Sequence, residues 1–216
     1  TADMTEFTPS SDTRMALLMA ALHLFGRQGF DGTSTRAIAE RAGTNVASIA
    51  YHFGSKDGLR MACAELLVSR LGGASGPARD LAQDITPDAA LAEIGATSRN
   101  LVQLIVGRPE TRDMVAFILR ELTEPGAVAE LVFNRFFEPR HTYFCHLWSA
   151  VTGQPADADF VKLSVFSLIG QVVYFRIAEP FVARRMGWGV AGPEEADKVA
   201  DLIVHNLNAM LDRSRR

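Results

Sequence analysis

The stretch that decides the fold is Phe30–Leu59, which reads FDGTSTRAIAERAGTNVASIAYHFGSKDGL. A hydroxyl side chain, from Thr33 or Ser34, can accept a hydrogen bond from the first turn of a short helix. Gly43 supplies the left-handed residue that ends this helix, and Asn45 can cap the next one. The stretch therefore predicts two short helices that are joined by a turn of about three to four residues.

Helical patterns continue on both sides of this stretch. We expect further helices at residues 13–28, 56–71, 87–106, 109–124, 127–151 with a kink at Pro139, 157–186 with a break near Pro180, and 193–212. We find no alternation of apolar and polar residues that is typical of strands. The sequence therefore predicts an all-α fold with about nine helices.

The chain divides into a small head and a larger body. The run GGASGP, residues 72–77, is typical of a linker, so we place the head at residues 13–71 and the body at 78–216. Residues 14–70 carry seven Lys and Arg against four Asp and Glu, whereas the whole chain has a net charge of −3. A basic head on an acidic body indicates two parts with different tasks.

Composition excludes several classes of protein. Hydrophobic residues make up 48% of the 216 residues and charged residues 22%, as in a folded globular protein. Cys63 and Cys145 stand far apart, which excludes a disulfide scaffold and favours a reducing compartment. The opening residues, TADMTEFTPSSD, lack the pattern of a signal peptide. The most apolar run, 163–175, is shorter than the ~20 residues of a membrane span, so we expect a cytoplasmic protein with no membrane contact.

The two short helices are typical of a helix-turn-helix. Small inward residues, Ala39, Ala42 and Ala50, permit the close crossing in which the second helix enters a major groove of double-stranded DNA. Hydroxyl groups, lysines and helix N-termini are groups that bind phosphates. We predict that the residues that contact DNA are Thr33, Thr35, Arg36, Thr44, Asn45, Val46, Ala47, Ser48, Tyr51, His52 and Lys56.

These residues divide by role. We predict phosphate contacts for Lys56 and His52, together with Thr33 and Thr35, so that loss of Lys56 reduces the salt dependence of binding by about one counterion. The second helix is poor in arginine and presents Asn45 beside small apolar side chains. Asn pairs with adenine and apolar groups contact thymine methyls, so we expect a half-site rich in A·T pairs.

The same stretch resembles the DNA-binding head of TetR-type transcriptional regulators. The matching positions are Ile38-Ala39, Ala42-Gly43, His52-Phe53, Ser55-Lys56 and Leu59. The sequence departs from the usual pattern where Thr44 and Asn45 replace Val-Ser, and where Tyr51 stands one place after the usual tyrosine. The resemblance implies a homodimer that binds a palindromic operator as a repressor, with a C-terminal domain that binds a small effector and thereby releases the DNA.

The body resembles the CecR-like branch of that family. The segments that carry this resemblance are Phe166–Arg176, Arg185–Trp188 and Arg120–Leu122. For the effector site we predict aromatic residues and the polar residues that stand within apolar stretches: Phe117, Arg120, Phe137, His141, Phe144, Trp148, Gln171 and Tyr174. This composition favours a small apolar or aromatic effector, although ordinary core packing would use the same aromatic residues.

Gln171 has three open interpretations, because a buried amide needs a hydrogen-bond partner. The partner is a ligand, a neighbouring helix, or the same helix of a second copy, and the adjacent Gly170 favours close approach of a second helix. For dimerisation we expect two helices, one with Phe160, Leu163, Val165, Phe166 and Ile169, and one with Val199, Leu202, Ile203, Leu207, Met210 and Leu211. The alternative is that both helices only cover the core of one chain.

Catalytic patterns are weak. Glu138 and His141 form one E-x-x-H unit, whereas helical di-iron sites need two such units and further glutamates. His141 and His146 lack the spacing of a helical zinc pair, and no phosphate-binding or nucleophile motif is present. We therefore expect no enzymatic activity, no cofactor and no metal. The alternatives are a helical-bundle enzyme or small-molecule binding protein with an incidental helix-turn-helix, and a protein–protein adaptor.

Overall fold

The computed structural model describes residues 11–74, 85–108, 111–123 and 125–214. All regular elements in these ranges are helical, which confirms the all-α prediction. The helices are α1 (Ser11–Gln28), α2 (Thr35–Arg41), α3 (Ala47–Phe53), α4 (Lys56–Ala74), α5 (Pro87–Ile105), α6 (Arg112–Glu121), α7 (Ala127–Val132), α8 (Glu138–Thr152), α9 (Asp159–Ile177), α10 (Glu179–Met186) and α11 (Pro193–Ser214), with a π-helical turn at Phe133–Phe137.

These helices form two compact units. The first unit runs to Leu67 and also contains Asp113–Leu131, and the second unit comprises Val68–Arg112 and Val132–Arg216. These two units replace the predicted ranges 13–71 and 78–216 as the head and the body. The structure thus groups nearly all of α6 with the head, whereas the segmentation from the sequence assigned everything after residue 78 to the body.

Helix α4 extends further than predicted. It continues through Gly72 and Gly73 to Ala74, although these glycines were expected to begin the linker. Two glycines cost about 1 kcal/mol each in a helix, but extending an existing helix adds one hydrogen bond per residue fixed. The Arg140 side chain also donates to the carbonyl oxygen of Gly72, at 3.2 Å. The rest of the predicted linker lies outside the described residues.

Side-chain hydroxyls cap several helices, and of the two candidates Thr33 and Ser34 it is Ser34 that caps α2. The Ser34 hydroxyl accepts a hydrogen bond from the backbone N–H of Ala37 at 3.1 Å, and that of Ser55 accepts from Gly58 at 3.0 Å. Thr86 caps α5 in the same way. Gly43 has a φ of 66°, the left-handed conformation that ends α2. Local side-chain chemistry therefore sets where these helices begin and end.

The core of the head joins α1 to α6. Leu18, Leu22 and Phe25 are buried on one face of α1, as their spacing predicts. Gly26 lies where α6 crosses this helix, and a Cβ atom there would lie 2.9 Å from the carbonyl oxygen of Asp113. Glycine therefore permits the close approach of the two helices. The Phe117 ring of α6 lies 6.2 Å from the Phe25 ring and is itself buried.

The core of the body lies among α5, α8, α9 and α11 and centres on large side chains such as Ile94, Trp148 and Ile203. Buried Arg176 closes the end of α5, because its guanidinium donates to the carbonyl oxygens of Ile105 and Val106. It also forms an ion pair with Glu179 at 2.6 Å. Burial, partly offset by Glu179, lowers the pKa of Arg176.

The kink predicted at Pro139 takes the form of the π-helical turn at Phe133–Phe137. Proline has no backbone N–H and its ring crowds the carbonyl group four residues earlier. A wider turn immediately before Pro139 relieves this crowding and lets α7 and α8 follow without a loop.

By length and composition alone, α9 would also be suitable as a membrane span, as are many core helices of water-soluble proteins. One side of α9 carries Val161, Val165 and Leu168, which are buried in the core of the body. The Ser164 hydroxyl on this side donates to the carbonyl oxygen of Phe160, so its polar group is satisfied within the helix.

Candidate nucleic-acid interface and effector region

Helices α2 and α3 form the predicted helix-turn-helix. Ile38, Ala39 and Ile49 are buried between them and α1. The Asn45 carboxamide oxygen accepts hydrogen bonds from the backbone N–H of Ser48 at 3.0 Å and from its hydroxyl at 3.1 Å. Asn45 thus fixes the first turn of the second helix, as predicted, while the rest of that residue stays exposed.

Five of the predicted DNA contacts form an exposed surface, here called the recognition face: Arg36, Asn45, Val46, Ala47 and Tyr51. Tyr51 is 72% exposed, and its ring lies nearly perpendicular to the His52 ring with the centroids 5.1 Å apart. The hydroxyphenyl group therefore projects into solvent from the second helix, where a helix-turn-helix meets the major groove.

Two of the predicted contacts are instead buried. The Thr33 hydroxyl donates to the carbonyl oxygen of Gly29 at 2.7 Å, and the Ser48 hydroxyl is hydrogen-bonded to Asn45 and Thr44. Both side chains are at most 3% exposed, so they hold the turns in shape. Thr35 and Thr44 are half-buried, between these two extremes.

Lys56 and His52 are also engaged within the head. The Lys56 ammonium donates to the backbone carbonyl oxygen of Phe30 at 2.6 Å and lies 4.1 Å from the centre of the Phe30 ring. The guanidinium of Arg60 lies 4.4 Å from the centre of the same ring. The Nε2 atom of His52 is buried and has no hydrogen-bond partner among the described residues.

Helix α6 is bound to the head by charged groups that sequence reasoning did not identify. Arg60 donates two hydrogen bonds to the buried Glu121 carboxylate, at 2.8 and 2.6 Å. Burial and the nearby Glu121 raise the pKa of the Cys63 thiol, which keeps this buried group neutral. At the other end of the helix, the Asp113 carboxylate lies 2.7 Å from Nδ1 of His23.

The eight predicted effector residues do not come together at one place. Phe117 and Arg120 lie in the head, where Arg120 donates to the carbonyl oxygens of Gly26 and Arg27 at 2.8 and 3.0 Å. Arg120 thereby caps the end of α1. The other six predicted residues belong to the body.

The six residues in the body occupy three places. Phe144 and Trp148 are buried in its core, and the indole N–H of Trp148 has no partner among the described residues. Phe137 and His141 stack on one another at its surface, with ring centroids 5.8 Å apart. The remaining pair, Gln171 and Tyr174, lines a groove of about 460 Å³ between α9 and α11.

Of the three interpretations of Gln171, the structure supports the neighbouring helix. Its carboxamide oxygen accepts a hydrogen bond from the Asn206 side chain on α11 at 2.9 Å. Gly170 beside it is exposed, and a Cβ atom there would meet nothing within 4 Å. The space beside Gly170 is thus open in a single chain.

The two helices predicted for dimerisation differ in what they expose. Five large side chains of α9 are exposed, and they form what is here called the apolar face: Phe160, Leu163, Phe166, Tyr174 and Ile177. Most of the residues named on α11, as well as Val165 on α9, are instead in the core, because they lie on the inward side of each helix: Val199, Ile203, Leu207 and Leu211. Leu202 is the exposed residue of that α11 set.

Comparison with known families agrees with this architecture. The family described as bacterial regulatory proteins, tetR family, matches residues 17–63. The family described as the C-terminal domain of the HTH-type transcriptional dual regulator CecR matches residues 90–213. The CecR regulator of Shigella flexneri is 32% identical over 201 residues, which cover 90% of this chain and 89% of the relative. The regulatory protein RaaS of Mycobacterium tuberculosis is 29% identical and covers 70% of this chain and 64% of the relative.

The chain therefore belongs to the TetR family of bacterial regulators and is a DNA-binding transcriptional regulator. Its body is of the CecR type, so both resemblances found in the sequence are confirmed.

Solved structures share this fold. A TetR-like regulator from Rhodococcus sp. RHA1 aligns with a TM-score of 0.67 at 24% identity, covering 91% of this chain and 93% of that one. AibR in complex with isovaleryl coenzyme A and operator DNA aligns with a TM-score of 0.63 at 18% identity, covering 89% and 96%.

Proposed function

We propose that the protein acts in the cytoplasm as a homodimeric repressor, which binds a palindromic operator and releases it when a small apolar or aromatic effector binds the body. The observation that carries this proposal is the recognition face, where side chains that suit DNA are exposed on α2, on the turn and on α3, whose first turn is fixed by Asn45. The regulator works through binding equilibria and catalyses no reaction.

The remaining predicted contacts have a supporting role in this proposal. Thr33, Thr44 and Ser48 shape the turns that present the recognition face, and Thr35, His52 and Lys56 stand at its margin. The small apolar residues Val46 and Ala47 contact thymine methyls, which favours A·T pairs in the half-site. The Asn45 carboxamide oxygen is engaged by Ser48, so the predicted two-bond pairing of Asn45 with adenine is not available in this conformation, and Asn45 offers its NH2 group as a donor.

The apolar face supports dimerisation. A row of large exposed apolar side chains on one helix is the usual mark of a surface that another protein covers. Pairing α9 and α11 with the same helices of a second copy forms a four-helix interface in which Leu202 joins the α9 residues. Two recognition helices then have to fall about 34–36 Å apart, in successive major grooves of a palindrome.

The effector step follows from linkage. One conformation of the body fits the operator spacing and another does not. An effector that binds the second conformation more tightly lowers the operator affinity, at most by the ratio of the effector's affinities for the two conformations. AibR, which shares this fold, has been crystallised with both a small ligand and operator DNA. This supports an effector-responsive role for the body.

The test is to capture fragmented genomic DNA on the purified protein at two salt concentrations and to sequence the retained fragments. We expect a few fragments that share a palindrome, with weaker retention at the higher salt concentration because phosphate contacts release counterions. Retention without a shared site, or no retention at either concentration, would contradict specific operator binding. Complexes with other proteins that survive nuclease treatment would instead support the adaptor alternative.

A further inference from the structure

An open cleft of about 430 Å³ lies on the body, between α8 and the start of α9. None of the eight effector residues except His141 lines this cleft. Its remaining lining consists of Thr142, Cys145, His146, Ser149, Ala156, Asp157 and Lys162. The cleft therefore combines one lysine, two histidines and two hydroxyl groups with a single carboxylate.

The donors that line the cleft are available to a ligand. Neither the Lys162 ammonium nor the His146 imidazole has a hydrogen-bond or ion-pair partner within the part of the chain that the structure describes, even though Asp157 lines the same cleft. Cys145 adds no negative charge, because burial raises the pKa of its thiol. Lys162 and His146 can therefore donate to an anion, while the Asp157 carboxylate is the opposing charge in the same lining.

Metal binding is a poor fit for the same groups. Within the described residues, no three His, Cys, Asp or Glu side chains are placed to hold a metal ion together. Both ring nitrogens of His141 are already engaged, since Nδ1 lies 3.7 Å from the Cys145 sulfur and Nε2 lies 3.2 Å from the carbonyl oxygen of Lys162. His141 therefore has no ring nitrogen free for a metal ion.

That ring is part of an exposed aromatic cluster. The Phe166 ring of α9 lies 4.3 Å from the His141 ring, and Phe137 stacks on both of them. Phe133 extends the stack, with its ring 6.1 Å from that of Phe137. Phe133 and Phe137 are the two ends of the π-helical turn, an irregularity that is frequent at functional sites.

We propose that this cleft binds an aromatic carboxylate, whose carboxylate group lies between Lys162 and His146 and whose ring stacks on His141 and Phe137. The effector of the proposed repressor then belongs to this chemical class, an inference that rests on the proposed function, whereas binding itself does not depend on DNA. Two charge-assisted hydrogen bonds at one end and aromatic contact at the other select an amphipathic anion over a purely apolar molecule.

The test is calorimetric titration of the full chain with 2-naphthoate, 2-naphthalenemethanol and 2-naphthylmethylamine, which share a ring system and differ in charge. We expect 2-naphthoate to bind at least about tenfold more tightly than the other two, because about 1.4 kcal/mol of charge interaction gives this factor. Equal affinity for all three compounds, or no binding of any, would overturn the proposal.

Substitutions then locate the site. We expect Lys162→Met to weaken 2-naphthoate binding about tenfold and to leave the alcohol unchanged. Lys198→Met removes the same charge from an exposed position on α11, where the ammonium lies near the Trp188 ring, and serves as the matched control. Phe137→Ala, at a residue outside the apolar face, is expected to weaken binding of all three compounds. Equal effects of the two lysine substitutions on 2-naphthoate would contradict the assignment.

The consequence for regulation is measured separately, with operator fragments from the genomic capture. If 2-naphthoate releases the operator from the unaltered protein but not from the Lys162→Met variant, the cleft is supported as an effector site. If 2-naphthoate binds and the operator is retained, the effector assignment is overturned while the binding site stands. Failure of operator capture without ligand contradicts the proposed function and leaves the calorimetric result intact.

Discussion

The recognition face and the apolar face are both exposed, yet their side chains differ in size and in polarity. The recognition face combines small side chains with Asn45, Arg36 and the hydroxyl of Tyr51, and hydrogen bonds fix the turn beneath it. The apolar face presents large side chains such as Leu163 and Ile177 without a charged group among them.

This difference indicates what each surface meets. A hydrated, negatively charged duplex suits a face of polar and small groups that contacts phosphates and base edges. Large apolar side chains favour burial against another apolar surface, at about 25 cal/mol per Å². A substitution in the recognition face should therefore weaken contact with DNA, and a substitution in the apolar face should weaken contact with a second protein surface. Single substitutions can distinguish these two effects.

The largest effect is expected for Gly170→Gln. The longer side chain fills the open space beside the apolar face and blocks a second copy, and without the second half-site operator affinity falls about 100-fold. Sedimentation velocity measures the dimer, and an electrophoretic shift assay measures operator binding. Gly95→Gln in α5, where an added Cβ also meets nothing within 4 Å, is the control. A Gly170→Gln protein that stays dimeric would show that this face is not the interface.

A smaller effect is expected for Tyr51→Ala. Its side chain makes few contacts within the head, so the fold is retained, while loss of a base or sugar contact weakens operator binding about tenfold. Fluorescence anisotropy of a labelled operator measures the change. Phe181→Ala removes a similarly exposed aromatic ring from α10 and should leave binding intact. Equal binding by both variants would remove Tyr51 from the interface.

Lys56→Met and Arg36→Met remove one charge each and are expected to differ in stability. We expect both to reduce the slope of log affinity against log salt by about 1, as for any lost phosphate contact. Only Lys56→Met should also lower the free energy of unfolding, by about 1 kcal/mol, because it loses a hydrogen bond to Phe30. Chemical denaturation measures the free energy of unfolding of each variant. An unchanged salt slope for Lys56→Met would assign Lys56 to folding alone.

The smallest effect is expected for Glu195→Gln in the first turn of α11. The backbone N–H of Gly192 donates to the Glu195 carboxylate at 3.0 Å, which lowers the pKa of this group. Its stabilising effect is therefore present above the pKa of the unfolded chain and is lost as the pH falls through the lower folded value.

We expect Glu195→Gln to melt slightly below the unaltered protein at neutral pH and at the same temperature in acid. Neighbouring Glu194→Gln, which removes the same charge at an exposed position, is the control. Operator binding and dimerisation should be unchanged, since Glu195 belongs to neither face. A stability difference that persists in acid would contradict the role of the carboxylate.

Features decided by neighbouring residues could be predicted from the sequence. The caps formed by Ser34, Asn45 and Ser55 depend on hydrogen bonds to residues three places along the chain, so the residue types alone indicate them. The same holds for the left-handed Gly43. The all-α fold and the helix-turn-helix follow from such local signals.

Features decided by distant contacts could not be predicted. Arg60 and Glu121 are far apart in the sequence, and nothing in either neighbourhood indicates the pair. Phe117 and Arg120 lie on a helix whose inward face is recognisable, but the pattern does not tell which helix covers it. The cleft was missed for the same reason, since it joins His146 of α8 to Lys162 of α9.

The position of the tryptophans has a spectroscopic consequence. The two tryptophans of the chain, Trp148 and Trp188, both belong to the body, and none belongs to the head. Excitation of indole therefore reports on the body alone, and the buried Trp148 should emit at short wavelength until the core opens. Circular dichroism follows the helices of both units, so a gap between the two unfolding curves would reveal a head that melts independently of the body.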